Sequence, residues 1–196
     1  MIQGEGSPFQ KILLGLKAKI FMENFNKNSQ KINIAIIGCG RISKKHIIAL
    51  INENTRCELV AICDNNKDKV DNINNFYISQ LKDKNILFKP LNKFYNYEEL
   101  IYAKNNNKII IDLIVLTTPS GLHPIQTIIA AKSGINVCTE KPMALNQSDA
   151  EEMIRICKES KVKLFVVKQN RLNPTLQILK KKVDEGKFGN IGIVDI

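Results

Sequence analysis

Apolar and polar residues follow one another along the chain in blocks that predict a regular alternation of strands and helices from residue 31 onward. Short apolar runs rich in Ile, Val and Leu are typical of parallel strands buried on both faces; they lie at about 32–37, 58–63, 85–89, 109–117, 135–139 and 162–167. Amphipathic segments between them predict helices at about 41–52, 67–81, 97–104, 123–133, 146–160 and 173–185. Asn146 or Ser148 is the predicted N-cap of the fifth helix. Repeated alternation of this kind predicts an α/β fold with a doubly wound parallel sheet.

The two ends of the chain depart from this alternation. Gly4, Gly6 and Ser7, together with the Asn- and Lys-rich stretch at 24–31, predict a flexible N-terminal extension at 1–30. Apolar residues at helical spacing between 9 and 20 are compatible with a short amphipathic helix within it. Lys17 and Lys19 interrupt this apolar stretch, which argues against a secretory signal. Beyond residue 170, a predicted helix leads through several glycines into an apolar segment at 191–196 that has the pattern of a strand cut short. We therefore expect an extension at 1–30, a main domain at 31–170, and the truncated start of a second, α+β domain at 171–196.

Composition and charge narrow the classes of partner. The 196 residues are 44% hydrophobic, enough for a packed core, and no apolar run approaches the length of a membrane span, so no membrane contact is expected. The formal net charge of +10 is compatible with nucleic-acid binding. The lysines, however, are spread along the chain, and no basic helix carries interleaved aromatic residues. General lysine coverage of a solvated surface is therefore favoured, and no nucleic-acid partner is expected.

The cysteines bear on the redox compartment. There are five of them and they include no C-x-x-C pair; they are Cys39, Cys57, Cys63, Cys138 and Cys157. Three lie in or beside predicted strands, where buried free thiols are the expected state. This usage predicts a cytoplasmic protein with neither a disulfide framework nor a metal site.

The most informative motif follows the first predicted strand, where apolar residues 34–37 run directly into Gly38-Cys39-Gly40 and then into a helix. Strand, glycine turn and helix in this order form the phosphate end of a dinucleotide-binding Rossmann unit. Gly38 permits a tight turn, Gly40 lets the backbone approach a pyrophosphate, and N–H groups at the helix start face the negative charge. The third position of the fingerprint is Ser43 rather than Gly or Ala, and its hydroxyl can bond a phosphate or cap the turn. The alternative is an ordinary glycine turn of an α/β protein.

An acidic residue, Asp64, ends the second predicted strand. A carboxylate there can accept hydrogen bonds from the adenosine ribose hydroxyls and repels a 2′-phosphate, so NAD is favoured over NADP. Lys67 is close enough in sequence to soften that repulsion. The alternative is a strand-end aspartate that only stabilises a turn.

Further polar clusters follow the later strands, and ligands of open α/β sheets bind outside the carboxyl ends of the strands. Thr117-Thr118-Pro119 follows the fourth strand with His123 close behind, Glu140-Lys141 follows the fifth, and the sixth is followed by residues 168–171. Lys141 in a closed site can donate or accept a proton, although a Lys-Pro after a strand is more often a solvated loop. Arg171 can bind an anionic substrate group, or it is a surface arginine at a domain joint.

Four motifs together carry a resemblance to a known family. They are Gly38-Cys39-Gly40-Arg41-Ile42-Ser43 with His46, Thr118-Pro119-Ser120-Gly121-Leu122-His123, Glu140-Lys141-Pro142-Met143-Ala144, and Asn170-Arg171-Leu172-Asn173-Pro174. Over residues 31–196 the chain resembles the glucose–fructose oxidoreductase, inositol dehydrogenase and rhizopine-catabolism (Gfo/Idh/MocA) family. The resemblance implies an NAD-binding Rossmann domain, with Lys141 as catalytic acid/base and Glu140 on the nicotinamide ribose. The implied cofactor-binding residues are Gly38, Gly40, Arg41, Ile42, Ser43, Asp64, Thr117, Thr118, Pro119, His123, Glu140 and Lys141; the implied substrate-binding residues are Lys141, Asn170 and Arg171.

The resemblance also implies an activity. Family members are dehydrogenases of sugars or nucleotide-linked sugars. The sequence near residue 170 is similar to that of members that act in lipopolysaccharide or other surface-polysaccharide synthesis. Full-length members are expected to be homo-oligomers. Their second domain supplies an Asp-x-x-x-His pair that this sequence lacks. The expected function is therefore an NAD-dependent sugar or nucleotide-sugar dehydrogenase, with little oxidation by the 196 residues alone. The alternative is a truncated remnant that binds dinucleotide without turnover.

Overall fold

The described part of the chain, residues 31–193 of a computed structural model, is built around one six-stranded parallel sheet. Its strands are β1 (Ile32–Ile37), β2 (Cys57–Cys63), β3 (Asn92–Phe94), β4 (Leu113–Leu116), β5 (Asn136–Thr139) and β6 (Leu164–Val166). They lie in the order β3-β2-β1-β4-β5-β6. The chain winds outward from β1 in one direction and then from β4 in the other, so the switch point between β1 and β4 opens a crevice at the carboxyl edge.

Within residues 31–193, six helices connect or follow the strands: α1 (Ser43–Asn52), α2 (Lys67–Asp83), α3 (Tyr97–Asn105), α4 (His123–Lys132), α5 (Gln147–Glu159) and α6 (Pro174–Asp184). Short 3-10 turns precede α4 and α6, at Ser120–Leu122 and Gln169–Leu172. Four of the helices begin at an asparagine whose side chain accepts a hydrogen bond from a backbone N–H of the first turn; these N-caps are Asn66, Asn96, Asn146 and Asn173.

The core lies on both faces of the sheet because alternate side chains of a strand point to opposite sides. On β1, Ile34 and Ile36 pack in a cluster with residues of α1 and α2. Ala35 and Ile37 pack in a second cluster with residues of α3 and α4. All four side chains are at most 2% exposed. The doubly wound α/β fold predicted from the alternation is therefore confirmed.

The strand predicted at residues 85–89 is wrong. Helix α2 continues to Asp83, and Asn85 then adopts a left-handed backbone (φ 53) that ends it. The N–H of Ile86 bonds back to the carbonyl of Leu81, and Leu87 is 86% exposed, so this apolar stretch is a connection rather than a strand. The third strand lies later, at Asn92–Phe94.

Other predicted boundaries are corrected by smaller amounts. The strands expected at 109–117 and 162–167 are shorter, at Leu113–Leu116 and Leu164–Val166. Residues 191–193 form no strand, and residues 194–196 lie outside the described residues, as does the predicted extension at 1–30. The boundaries of the three predicted parts remain predictions.

Candidate functional site

The glycine turn after β1 is packed so closely that its first residue can only be glycine. Gly38 has φ +97, and its N–H donates to the carbonyl of Cys63 at 2.7 Å. A Cβ at Gly38 would lie 2.8 Å from backbone atoms of Thr117 and Thr118. A Cβ at Gly40 would meet nothing within 4 Å, so the space in front of this backbone is open. A closed turn followed by an open approach is the shape that a pyrophosphate requires.

The serine that replaces the third glycine holds the turn together. Ser43 is buried and its hydroxyl donates to the carbonyl of Gly40 at 2.6 Å, which favours the capping role over direct phosphate binding. Ser43 is also the first residue of α1. Arg41 is exposed and Ile42 is half-buried beside it.

Asp64 connects the end of β2 to the glycine turn. Its Oδ2 accepts the N–H of Cys39 at 2.8 Å and its Oδ1 accepts the N–H of Asn66 at 2.9 Å. Each carboxylate oxygen can accept a second hydrogen bond, so the turn-stabilising and ribose-binding interpretations of Asp64 are compatible. The lysine that shares the cleft with Asp64 is Lys69; Nζ of Lys67 instead lies 5.4 Å from the ring centre of Tyr95.

The opposite wall follows β4. The hydroxyl of Thr117 is buried and lies within hydrogen-bond distance of the carbonyls of Ile37 (3.0 Å) and Gly38 (2.6 Å). Thr118 donates to Oε1 of Gln126 at 2.6 Å, and the hydroxyl of Tyr97 donates to the Gln126 carbonyl at 2.7 Å. The loop after β4 is therefore tied to the glycine turn and to α4, and α4 is tied in turn to α3.

These walls enclose a cleft of about 650 Å³ at the carboxyl edge of the sheet. Six of the predicted cofactor-binding residues line it: Gly38, Gly40, Asp64, Thr117, Thr118 and Pro119. Lys69, Tyr97 and Gln126 also line it and have no role in the sequence-based prediction. The sequence does contain a signal for Gln126: it is a polar residue within the largely apolar helix α4. A polar group buried there needs a hydrogen-bond partner. The sequence predicts Tyr97 only as the first residue of the helix at 97–104, and its contact with the carbonyl of Gln126 has no local signal.

Glu140 and Lys141 lie after β5, outside the lining of this cleft. Oε1 of Glu140 lies 2.7 Å from Nε2 of His46 on α1, and its Oε2 accepts the N–H of Lys141 at 3.3 Å. Burial alone would raise the pKa of the Glu140 carboxyl, but the hydrogen bond and charge of His46, together with the backbone N–H and ammonium of Lys141, outweigh it and lower that pKa. Glu140 is therefore ionised at neutral pH. The Lys141 side chain is exposed, so residues 31–193 do not supply the closed site in which it was expected.

His46 is almost completely buried, with 3% exposure. Its Nδ1 is buried and makes no hydrogen bond to any residue between 31 and 193. A buried polar atom left unpaired costs about 1–3 kcal/mol. The sequence motif included His46 without assigning it a role.

His123 is fully buried rather than directed into the cleft. Its Nε2 lies 2.9 Å from the carbonyl of Thr118, and its Nδ1 lies 3.0 Å from the carbonyl of Pro142. The ring therefore connects the loop after β4 with the loop after β5. Its place in the predicted cofactor-binding set remains a prediction, and its contacts are with protein backbone.

Asn170 and Arg171 are exposed and line a separate open groove with residues of α6, such as Gln177 and Lys180. The structure does not bring them into the cleft beside Asp64. Across residues 31–193 no cluster of three or more His, Cys, Asp or Glu side chains is placed to hold a metal ion. In the same range, no helix combines the length and apolar character of a membrane span.

The comparison with known families agrees with this geometry. The model of the Gfo/Idh/MocA oxidoreductases, a family with an NAD-binding Rossmann fold, matches residues 32–168. The chain belongs to this family. The predicted family, the Rossmann fold and the NAD cofactor class are thereby confirmed.

Several relatives are similar over most of the chain. The WlbA dehydrogenase of Bordetella pertussis, whose crystal structure holds NADH and UDP-GlcNAcA, has 40% identity and a TM-score of 0.68, covering 83% of this chain and 44% of its own. An oxidoreductase of Formosa agariphila, P35, is 29% identical over 161 residues, which are 82% of this chain and 45% of the relative. The inositol 2-dehydrogenase of Rhizobium meliloti is 24% identical over 84% of this chain and 44% of its own. The chain thus spans less than half the length of these relatives.

Proposed function

We propose that the protein is the dinucleotide-binding part of an NAD-dependent dehydrogenase that oxidises a sugar or a nucleotide-linked sugar. The observation that carries the proposal is the cleft in which a closed glycine turn, an open approach at Gly40 and the Asp64 carboxylate meet. The 40% identity to a dehydrogenase crystallised with NADH and UDP-GlcNAcA supports a nucleotide-linked sugar as the substrate. Resemblance to such members is also the basis for proposing a role in lipopolysaccharide or surface-polysaccharide synthesis.

Different residues are proposed to bind different parts of the cofactor. The backbone N–H groups of Gly40, Arg41 and Ile42, which directly precede α1, are proposed to bind the pyrophosphate, because the space in front of Gly40 is open. Asp64 has lone pairs left for the adenosine ribose hydroxyls. The loop after β4 covers the dinucleotide from the other side, and Glu140 is proposed to bind the nicotinamide ribose.

Lys141 is the proposed acid/base. When bound, NAD accepts a hydride from the carbinol carbon of the sugar. The hydroxyl proton of that carbon passes to Lys141 as the general base, so the alcohol becomes a carbonyl group and Lys141 carries the proton. The Lys141 side chain is exposed and makes no hydrogen bond within residues 31–193, so it is available to a substrate. Asn170 and Arg171 are proposed to bind the substrate.

Cofactor preference tests the binding half of the proposal. NADH should bind more tightly than NADPH in calorimetry, because the Asp64 carboxylate can accept from the ribose hydroxyls and repels a 2′-phosphate. Asp64→Ala should narrow the difference between the affinities for NADH and NADPH. Asp64→Asn is the matched control, because it removes the charge and retains an acceptor for the turn. Equal affinities of the unmutated protein for the two dinucleotides would contradict the role of Asp64.

Turnover tests the catalytic half. The purified protein is assayed with NAD and a panel of free and UDP-linked sugars, alone and as a chimera in which residues 31–193 replace the corresponding part of the Bordetella pertussis dehydrogenase. The chimera should reduce NAD with a UDP-linked sugar, and Lys141→Ala should abolish the reaction while the surface variant Lys158→Ala does not. An active chimera that tolerates Lys141→Ala would refute the acid/base role. Tight NAD binding without turnover in either form would favour the alternative, a dinucleotide-binding protein without catalysis.

A further inference from the structure

His46 joins two parts of the fold that are far apart in sequence. It lies in the first turn of α1, directly after the glycine turn, and its partner Glu140 follows β5, 94 residues later. The two atoms in contact are Nε2 of His46 and Oε1 of Glu140, 2.7 Å apart, with side-chain exposures of 4% and 14%. The phosphate end of the cleft and the segment that carries Lys141 are thereby linked directly.

The surroundings of the His46 ring indicate that its role is more than packing. The Nδ1 atom is buried without a partner among the described residues. An apolar side chain of similar size would fill the same space without burying an unpaired nitrogen. The part of the imidazole that an apolar residue could not replace is the Nε2–H directed at Glu140, because a carboxylate oxygen can only accept a hydrogen bond.

Glu140 is held at both oxygens, and this fixes its direction. His46 contacts Oε1, and the backbone N–H of Lys141 contacts Oε2. A hydrogen bond from His46 stabilises the ionised carboxylate, in agreement with the lowered pKa of Glu140. Without His46, Oε1 would have no protein donor among residues 31–193 and the side chain would be free to rotate.

We propose that His46 is a positioning residue that fixes the Glu140 carboxylate for the nicotinamide half of the dinucleotide. This inference rests on the proposed function, in which Glu140 binds the nicotinamide ribose. The proposed role of His46 concerns the nicotinamide half of the cofactor alone, because the adenosine and pyrophosphate contacts at Asp64 and Gly40 do not involve the His46 ring. Loss of the ring nitrogen should therefore weaken NADH binding and leave ADP binding intact.

Calorimetric titration of the protein with NADH and with ADP tests this separation. His46→Leu should weaken NADH binding about tenfold, the effect expected of a lost charge-assisted hydrogen bond, while the ADP affinity changes less than about twofold. His46→Gln retains an N–H donor on the side chain and should recover most of the loss. Thr127→Val is the matched control. Thr127 lies fully buried on α4, outside the cleft lining, and its hydroxyl has no partner in the described part of the chain, so its replacement should alter neither affinity.

A double-mutant cycle tests whether the two side chains act together. Glu140→Ala, which leaves His46 no side-chain oxygen to contact, should reduce the NADH affinity, and adding His46→Gln or His46→Leu to it should cause no further loss. Equal weakening of ADP and NADH by His46→Leu, an unchanged NADH affinity, or additive losses in the cycle would each overturn the inference. If the unmutated protein prefers NADH to ADP and His46→Leu keeps that preference, the inference fails while the proposed function stands; if it binds neither ligand, the proposed function fails and this inference with it.

Discussion

Gly38 and Gly40 are separated by one residue, yet the structure assigns them different constraints. A side chain at Gly38 meets the backbone of Thr117 and Thr118 and a φ of +97, whereas one at Gly40 meets open space. Gly38→Ala should therefore lower the free energy of unfolding by about 3 kcal/mol. Gly40→Ala should stay within about 0.5 kcal/mol of the unmutated protein but weaken NADH binding at least about tenfold.

Chemical denaturation and calorimetry of the two variants distinguish these effects. A Gly38→Ala protein of unchanged stability would contradict the packing at the turn. A Gly40→Ala protein that binds NADH normally would show that the dinucleotide phosphates do not approach this backbone.

Glu140 makes stability depend on pH. Its pKa is lowered from the ordinary value of 4.5 in the folded protein, so the folded state binds fewer protons than the unfolded chain. The resulting stabilisation is fully present above pH 4.5 and disappears as the pH falls through the lowered pKa. The deficit in unfolding free energy of Glu140→Gln relative to the unmutated protein should therefore be largest at neutral pH and shrink in acid. Urea unfolding across this range measures it, and a deficit that grows on acidification would contradict the assignment.

The cleft residues differ in how far sequence alone could reveal them. Gly38 and Asp64 lie at fixed places in a known motif, and their residue types match the local chemistry. By contrast, Tyr97 and His46 act through partners distant in sequence: Tyr97 contacts Gln126, and His46 contacts Glu140. Only the folded arrangement of the strands brings such pairs together, so a local pattern could indicate a buried polar residue but not its partner.

At the scale of elements, asparagine is the recurrent helix start of this protein. For α5 the sequence left Asn146 and Ser148 as alternatives, and the structure selects Asn146, whose Oδ1 accepts the N–H of Asp149 at 2.8 Å. Ser148 instead donates its hydroxyl to that same oxygen.

Substituting Asn146 and Ser148 one at a time tests which of the two caps α5. Asn146→Ala should lower the free energy of unfolding by about 1 kcal/mol, since a backbone donor of the first turn loses its partner. Ser148→Ala should change it by less than about 0.5 kcal/mol. Thermal or chemical unfolding decides between them, and a larger effect at Ser148 would contradict the assigned cap.

The strands show where local pattern is sufficient and where it is not. The central strands β1 and β4 are apolar and buried, and their existence follows directly from their residues. The edge strand β3 is short, reads Asn-Lys-Phe and is largely exposed, so it carries no apolar signal. It is a strand because the end of β2 offers it a pairing edge, which is a property of the neighbouring element.

At the scale of the whole molecule, the free thiols are uniformly shielded. All five cysteines are buried. Burial raises the pKa of Cys39, Cys57, Cys63 and Cys138 to about 12, and it also raises the pKa of Cys157. Because the thiolate is the reactive form, native protein should react with an aromatic disulfide reagent at least about a hundredfold more slowly than unfolded protein. One rapidly modified thiol in the native protein would contradict this packing.

The central position of β1 has a consequence for synthesis on the ribosome. β1 is the first strand of the sheet to be made, yet one of its two neighbours, β4, is made only after β2, β3 and three helices. Asn33 at the start of β1 pairs with Asp112, which is 79 residues later. Until β4 has left the exit tunnel, the nascent chain presents an unpaired and strongly apolar strand edge, the feature that promotes aggregation between chains. Expression of this fold therefore depends on protecting the half-made sheet, and a nascent chain ending after α3 is the species that chaperones should bind most strongly.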